Sequence, residues 1–280
     1  MTEGSLLLYK PAERRRRRRS VKRVMVKRGI PAILIAVLIV SCARPAKFVY
    51  PPSERPLRRI SEEPKYGLRV AVLPFEEMRA DRNSMKTYWL CFLPLAPFGF
   101  WKFERPDSAR FFNTVSEFEF DVNRDVAKAV MTSLRESGLF AHVYFASAGE
   151  TENADLIVSG RVNRTLYRGR TFTYCVSVAG AALWVVGLPV GDSTDELEFA
   201  LEVKDGRSGK GIWGCKSRSS KRVVQGFYYR WGDDVKGFAE LMEGAMGEIA
   251  AKLDQAMGTY ERERRSMKPP PSLAEDGVTR

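Results

Sequence analysis

Two periods run through the middle of the chain, one near 3.6 residues and one of two, and together they predict its elements. Between Glu119 and Ser137, Val122, Val126, Val130 and Leu134 recur every four residues. That spacing puts them on one face of a helix, and Gly138 follows as a C-cap. A second helix is predicted over Asp234 to Met257, with Phe238, Met242, Ala245, Ile249, Leu253 and Ala256 on its apolar face. Gly237, Gly244 and Gly247 weaken it by about 1 kcal/mol each unless close packing compensates.

The strands follow the shorter period. Leu197, Phe199, Leu201 and Val203 alternate with Glu196, Glu198 and Glu202, which predicts a strand with one face buried. Asp205 to Gly209 reads as a turn and Ile212 to Lys216 as the start of a return strand, which makes a hairpin. Leu68 to Phe75 is apolar on both faces from Val70 to Leu73 and is ended by Pro74, which predicts a central strand. Val143 to Phe145 and Asp155 to Arg164 supply two more. The order β-α-β-β-β-β-α predicts an α/β fold, a mixed β-sheet flanked by helices.

Two apolar stretches interrupt this pattern, one from Tyr88 to Trp101 and one from Thr171 to Gly191, and neither contains a charged residue. Three readings fit them: core or crossover segments, a protruding surface for a membrane or a partner, or, for the second stretch, a spanning helix. Pro94, Pro97 and Gly99 bar the first stretch from spanning as a helix. The protruding reading gives the sharpest expectation. The two stretches would meet on one edge of the domain, with Trp89, Trp101, Tyr174 and Trp184 as partner or membrane anchors, because such rings combine contact area with a polar tip.

The amino-terminal segment changes the picture. Residues 30–40 form an uncharged apolar run preceded by Lys27 and Arg28, the layout of a secretory signal and short for a bilayer span of about 20 residues. Ile39, Val40, Ser41 and Cys42 close the run and resemble the lipobox of bacterial lipoproteins, with a small residue before the cut and a thiol to accept diacylglycerol. The resemblance implies a mature chain that begins at an acylated Cys42. A basic leader precedes the run, and Met25 offers an alternative start to Met1.

The charge follows the same division. The formal net charge is +12, but 11 of the 46 Lys and Arg and two of the 34 acids precede Cys42. That leaves 35 and 32, a net of +3, too little field to steer polyanions, so nucleic acid is not an expected partner. Residues 1–41 are thus expected to be signal and leader, 42–64 a Pro-rich tether, 65–258 the α/β domain and 259–280 a charged, Pro-rich disordered tail. Acylating Cys42 leaves Cys91, Cys175 and Cys215, expected as small buried hydrophobes.

The phrases Val70 to Phe75, Leu134 to Phe140, Ala154 to Arg161, Leu201 to Asp205 and Gly209 to Trp213 are similar to a group of periplasmic lipoprotein domains. The group includes the curli-secretion lipoprotein, the penicillin-binding-protein activator lipoproteins and the amino-terminal domain of the Tol translocation protein. The resemblance spans residues 66–257 and implies a domain that binds other envelope proteins without catalytic residues.

Chemistry adds little. His142 is the one histidine and has no partner in sequence for general-base work. Glu76 and Glu77 follow the first strand and read as solvated loop residues. No metal or cofactor motif is present, and no enzyme activity is expected. The expectation is a lipid-anchored outer-membrane protein facing the periplasm, where Ala43 after the cysteine resembles the outer-membrane rule. It would bind envelope proteins as an accessory or assembly factor. A membrane-inserting homo-oligomer for secretion or pore formation is the alternative.

Overall fold

The chain enters its domain through a short strand that the sequence assigns to a tether. The computed structural model describes residues 46–52, 57, 59–108, 118–147, 149–231 and 233–267. The leader, Cys42 and the residues after Met267 lie outside them. Strand β1 (Ala46–Lys47) pairs in parallel with a strand just before the first helix. Phe48 then stacks on Phe120, with ring centroids 4.7 Å apart, and the Tyr50 hydroxyl bonds to the Ser133 hydroxyl at 2.5 Å. The tether boundary at 64 is therefore corrected. Phe48, Tyr50 and Ile60 pack against the core, and the Ile60 amide donates to the Ser137 carbonyl.

The remaining strands are β2 (Tyr66–Val72), β3 (Glu76–Glu77), β4 (Asn83–Thr87), β5 (Phe98–Phe103), β6 (Phe118–Glu119), β7 (Phe140–Phe145), β8 (Leu156–Phe172), β9 (Pro189–Asp205) and β10 (Gly211–Gly226). The helices are α1 (Val122–Glu136), a five-residue α2 (Ala181–Val185) and α3 (Gly237–Met267). Among the described residues the main sheet is open, mixed and eight-stranded, and its central path runs β10-β9-β8-β2-β7. The predicted order β-α-β-β-β-β-α is present as β2-α1-β7-β8-β9-β10-α3. One edge of β8 is shared along its length by β2, then β3, then β5, the first two parallel and the last antiparallel.

Both long helices cover one face of this sheet. Val122, Val126, Val130 and Leu134 are at most 3% exposed, as their spacing predicts, and meet Leu197, Phe199, Leu201 and Val203 in one core. Each buried Leu or Phe contributes about 1.5–3 kcal/mol. The Asp121 carboxylate caps α1 by accepting from the Arg124 amide. Gly237 has a specific reason at the start of α3, because a Cβ there would overlap the buried carboxylate of Asp195. That carboxylate sits where the helix dipole favours a negative charge.

Helix α3 runs past its predicted end at Met257 and past the domain boundary at 258, through Tyr260 and Arg264 to Met267. The extra turns are held to the sheet. The Tyr260 hydroxyl donates to Asp205 at 2.5 Å, and Arg264 pairs with Asp155 at 3.6 Å. The other face of the sheet is open and charged. Acids of β9 form a central row between cations of β8 and β10: Glu196 meets Arg164, Arg168 and Arg218, and Glu198 meets Lys216. The outward row that the alternation predicts is thus observed, with each acid flanked by base.

Candidate docking surface

The two 17-residue strands β8 and β9, together with β10, outrun the helices that cover them. Helix α3 begins at Gly237, level with Asp195 of β9, and roughly five residues of each strand reach past that level, about 16 Å at 3.3 Å per residue. A buried cation braces this extension. Arg79, its side chain 1% exposed, donates to Asp107 at 2.6 Å, to Glu77 at 2.9 Å and to the Thr165 hydroxyl at 2.7 Å. Burial pulls its guanidinium down, but Asp107 and Glu77 outweigh that and hold it above its ordinary value. Glu77 is therefore no free loop residue, and it also pairs with Arg105 at 3.1 Å. On the open face the nearly buried Asp192 receives Arg170 and Arg222, each at 2.6 Å. Burial raises its carboxyl, and the two arginines more than reverse this, leaving it below the usual range.

At the end of the extension the two apolar stretches meet, as the protruding reading expects. The Leu95 amide donates to the Cys175 carbonyl at 3.0 Å, and the Ser177 hydroxyl donates to the Phe92 carbonyl at 2.8 Å. The second stretch is no spanning helix. It is a 3-10 turn (Ser177–Gly180), the short α2 and a turn into β9. Among the described residues no helix is long and apolar enough to cross a membrane. A third segment, Phe227 to Trp231, closes the tip. Phe227 packs on Trp231 in a tilted pair with ring centroids 5.4 Å apart, and the Tyr228 hydroxyl donates to the Val185 carbonyl at 2.8 Å. Sequence reasoning missed it, although four aromatic residues in five positions between a strand and a helix were a readable signal.

The surface is strongly apolar and open. Leu95 is 82% exposed, Val186 70%, Tyr228 68% and Phe92 58%. The expected anchors divide. Trp89 is exposed, while Tyr174 and Trp184 are half-buried, tied by their polar atoms to the Pro189 and Phe172 carbonyls. Trp101 is corrected: it is 5% exposed, packed inside β5 opposite Gly169, where a Cβ would overlap its indole. Cys175 is exposed rather than buried, and Cys215 is half-buried; Cys91 is buried as expected, and burial pushes the thiols of Cys91 and Cys215 up. His142 lies exposed on the edge strand β7 and packs on Tyr144 at 5.5 Å.

No family model and no curated protein matches the chain. Solved structures overlap it partially in shape. A protein from Xanthomonas campestris of the DUF330 family is 9% identical, with 74% of this chain and 95% of that chain covered and a TM-score of 0.40. A PelC dodecamer from Paraburkholderia phytofirmans is 15% identical, covering 68% and 92%, with a TM-score of 0.35. A candidate lipoprotein from Caulobacter crescentus is 12% identical, covering 52% and 87%, with a TM-score of 0.29. The likeness to the curli-secretion, activator and Tol groups stays a matter of sequence pattern.

Proposed function

We propose that this is a non-enzymatic envelope lipoprotein, anchored through Cys42, which docks to other envelope components through the apolar tip. The observation that carries the reading is the tip itself. Three segments distant in sequence converge to expose contiguous large apolar side chains, and such patches mark interaction sites. The charged groups inside the fold serve structure: Arg79 braces the extension, Asp192 ties two strands, and Asp195 faces the start of α3.

Two measurements test it. Metabolic labelling with a fatty-acid probe should mark the chain, and Cys42→Ser should abolish the label; label that survives the change rules out the anchor. A photo-crosslinking residue at Val186 or Phe227 should capture envelope components in intact cells, while the same residue at Lys252, exposed on α3, should not. Equal capture from both places would mean that the tip is ordinary surface.

A further inference from the structure

We infer that the tip is seated in the acyl layer of a lipid bilayer and that a collar of cations just behind it meets anionic headgroups. This names the occupant of the docking surface and rests on the reading given above.

Hydrogen bonding separates a lipid from a protein occupant. Five of the tip's polar side chains turn inward onto backbone carbonyls: Thr173 to Ala96, Ser177 to Phe92, Tyr174 to Pro189, Trp184 to Phe172 and Tyr228 to Val185, while Arg230, half-exposed in the third segment, pairs with Asp233 at 3.6 Å. The tip's backbone amides also turn inward. Leu93 donates to Leu90, Thr173 to Pro97, Gly187 to Trp184 and Leu188 to Leu183. A protein interface carries about one hydrogen bond per 100–200 Å², so a surface built for a protein presents donors and acceptors outward. Hydrocarbon offers no such partners, and a surface meant for it must satisfy its polar groups internally. The tip follows the second rule. Its three loops suit shallow insertion, of the order of 5–10 Å, rather than a crossing.

The collar supplies the charge complement. A groove of about 410 Å³ lies directly behind the tip, lined by Lys102, Arg168, Arg170 and Arg222, of which the last two pair with Asp192, Lys102 with Glu104 and Arg168 with Glu196, leaving four cations to three carboxylates. Phe100 lines the same groove and is 40% exposed, so cation and ring stand side by side, the order met at a headgroup boundary. Entry of the chain agrees. Strand β1 pairs with β6 beside the start of α1, and Asn123 there accepts from Phe75 at the carboxyl end of β2. Because β8 runs parallel to β2, Ala46 stands at the end of the sheet from which the tip projects. Cys42 precedes Ala46 by four residues in the sequence.

The test uses the full lipidated chain, reconstituted in phosphatidylcholine vesicles with or without phosphatidylglycerol, some made with lipids brominated midway along the acyl chain. An environment-sensitive fluorophore goes on the exposed Cys175, or on Lys252→Cys in a Cys175→Ser background as the control. The Cys175 probe should be quenched several-fold more than the control, and more in the anionic vesicles. Lys102→Gln with Arg168→Gln leaves Asp192 its two arginines. Each cation near an anionic surface is worth about fivefold in local affinity, so the double change should remove most of the anionic preference. Equal quenching at both probe positions overturns the bilayer seat, and an anionic preference that survives the double change overturns the collar. If the Cys175 probe stays unquenched while photo-crosslinks at Val186 still reach an envelope protein, the lipid occupant is wrong and the docking reading stands. If both fail, the reading falls with it.

Discussion

Trp101 shows what one residue's neighbourhood decides. Its sequence setting, in a charge-free aromatic stretch, is the same as that of Trp89, and nothing in composition separates them. Pairing does: β5 sets Trp101 opposite Gly169, and the missing Cβ there makes room for the indole. Trp101→Ala should therefore cost about 3–5 kcal/mol in chemical denaturation, while Trp89→Ala should stay within about 0.5 kcal/mol. Equal effects would mean that the ring is not core. The Tyr260–Asp205 pair sets a second residue-scale expectation. The Tyr260 hydroxyl and the turn amides hold the Asp205 carboxyl at about 2, against an ordinary 3.8. The unfolded chain binds that proton more readily, so the stability from Asp205 is full above 3.8 and is lost as pH falls toward 2. Burial and the same bond raise Tyr260 to about 12 from 10.0, so its contribution is full below 10.0 and fades as pH rises to 12. Tyr260→Phe should flatten both limbs of a pH–stability curve, and unchanged limbs would assign them to other groups.

Elements with a clean period were legible from the chain alone. The four-residue valine spacing fixed α1, and the Leu–Glu alternation fixed β9. The second half of β8 was not legible, because Leu166 and Tyr167 are adjacent and both buried while Arg164, Arg168 and Arg170 face out, so neither period survives. Its length comes from pairing along both edges, to β9 on one side and to β2, β3 and β5 on the other, which no local pattern announces. The carboxyl end of α3 was hidden differently. Glu261, Arg262, Glu263 and Arg264 read as solvated charge until Asp155 and Asp205 are seen opposite. Ending the chain after Gly258 should lower stability by roughly 2 kcal/mol, the loss of one charge-assisted bond and its neighbour. An unchanged thermal melt would show that these turns are only decoration.

At the scale of the whole molecule, the fold is a helix-covered sheet carrying a second, uncovered length of the same strands. The meeting of the two apolar stretches could be anticipated; the aromatic run Phe227 to Trp231 was readable as a patch, but its place beside them was not, since it joins them only through the reversal of β10. Limited proteolysis should give a smallest fully stable fragment that begins at or before Ala46, because Phe48 and Tyr50 pack against the core. A fragment starting at Tyr66 with an undiminished melt would remove that strand from the fold.

The inward bonding of the tip's hydroxyls has a thermal consequence. When the tip leaves water, few hydrogen bonds are exchanged and mainly apolar surface is dried. Such a step is entropic near 25 °C, has a negative heat-capacity change and weakens on cooling. Titration calorimetry with anionic vesicles should show an enthalpy of docking that grows more negative with each rise in temperature, and in the cold the tip should let go before any strand of the sheet loosens.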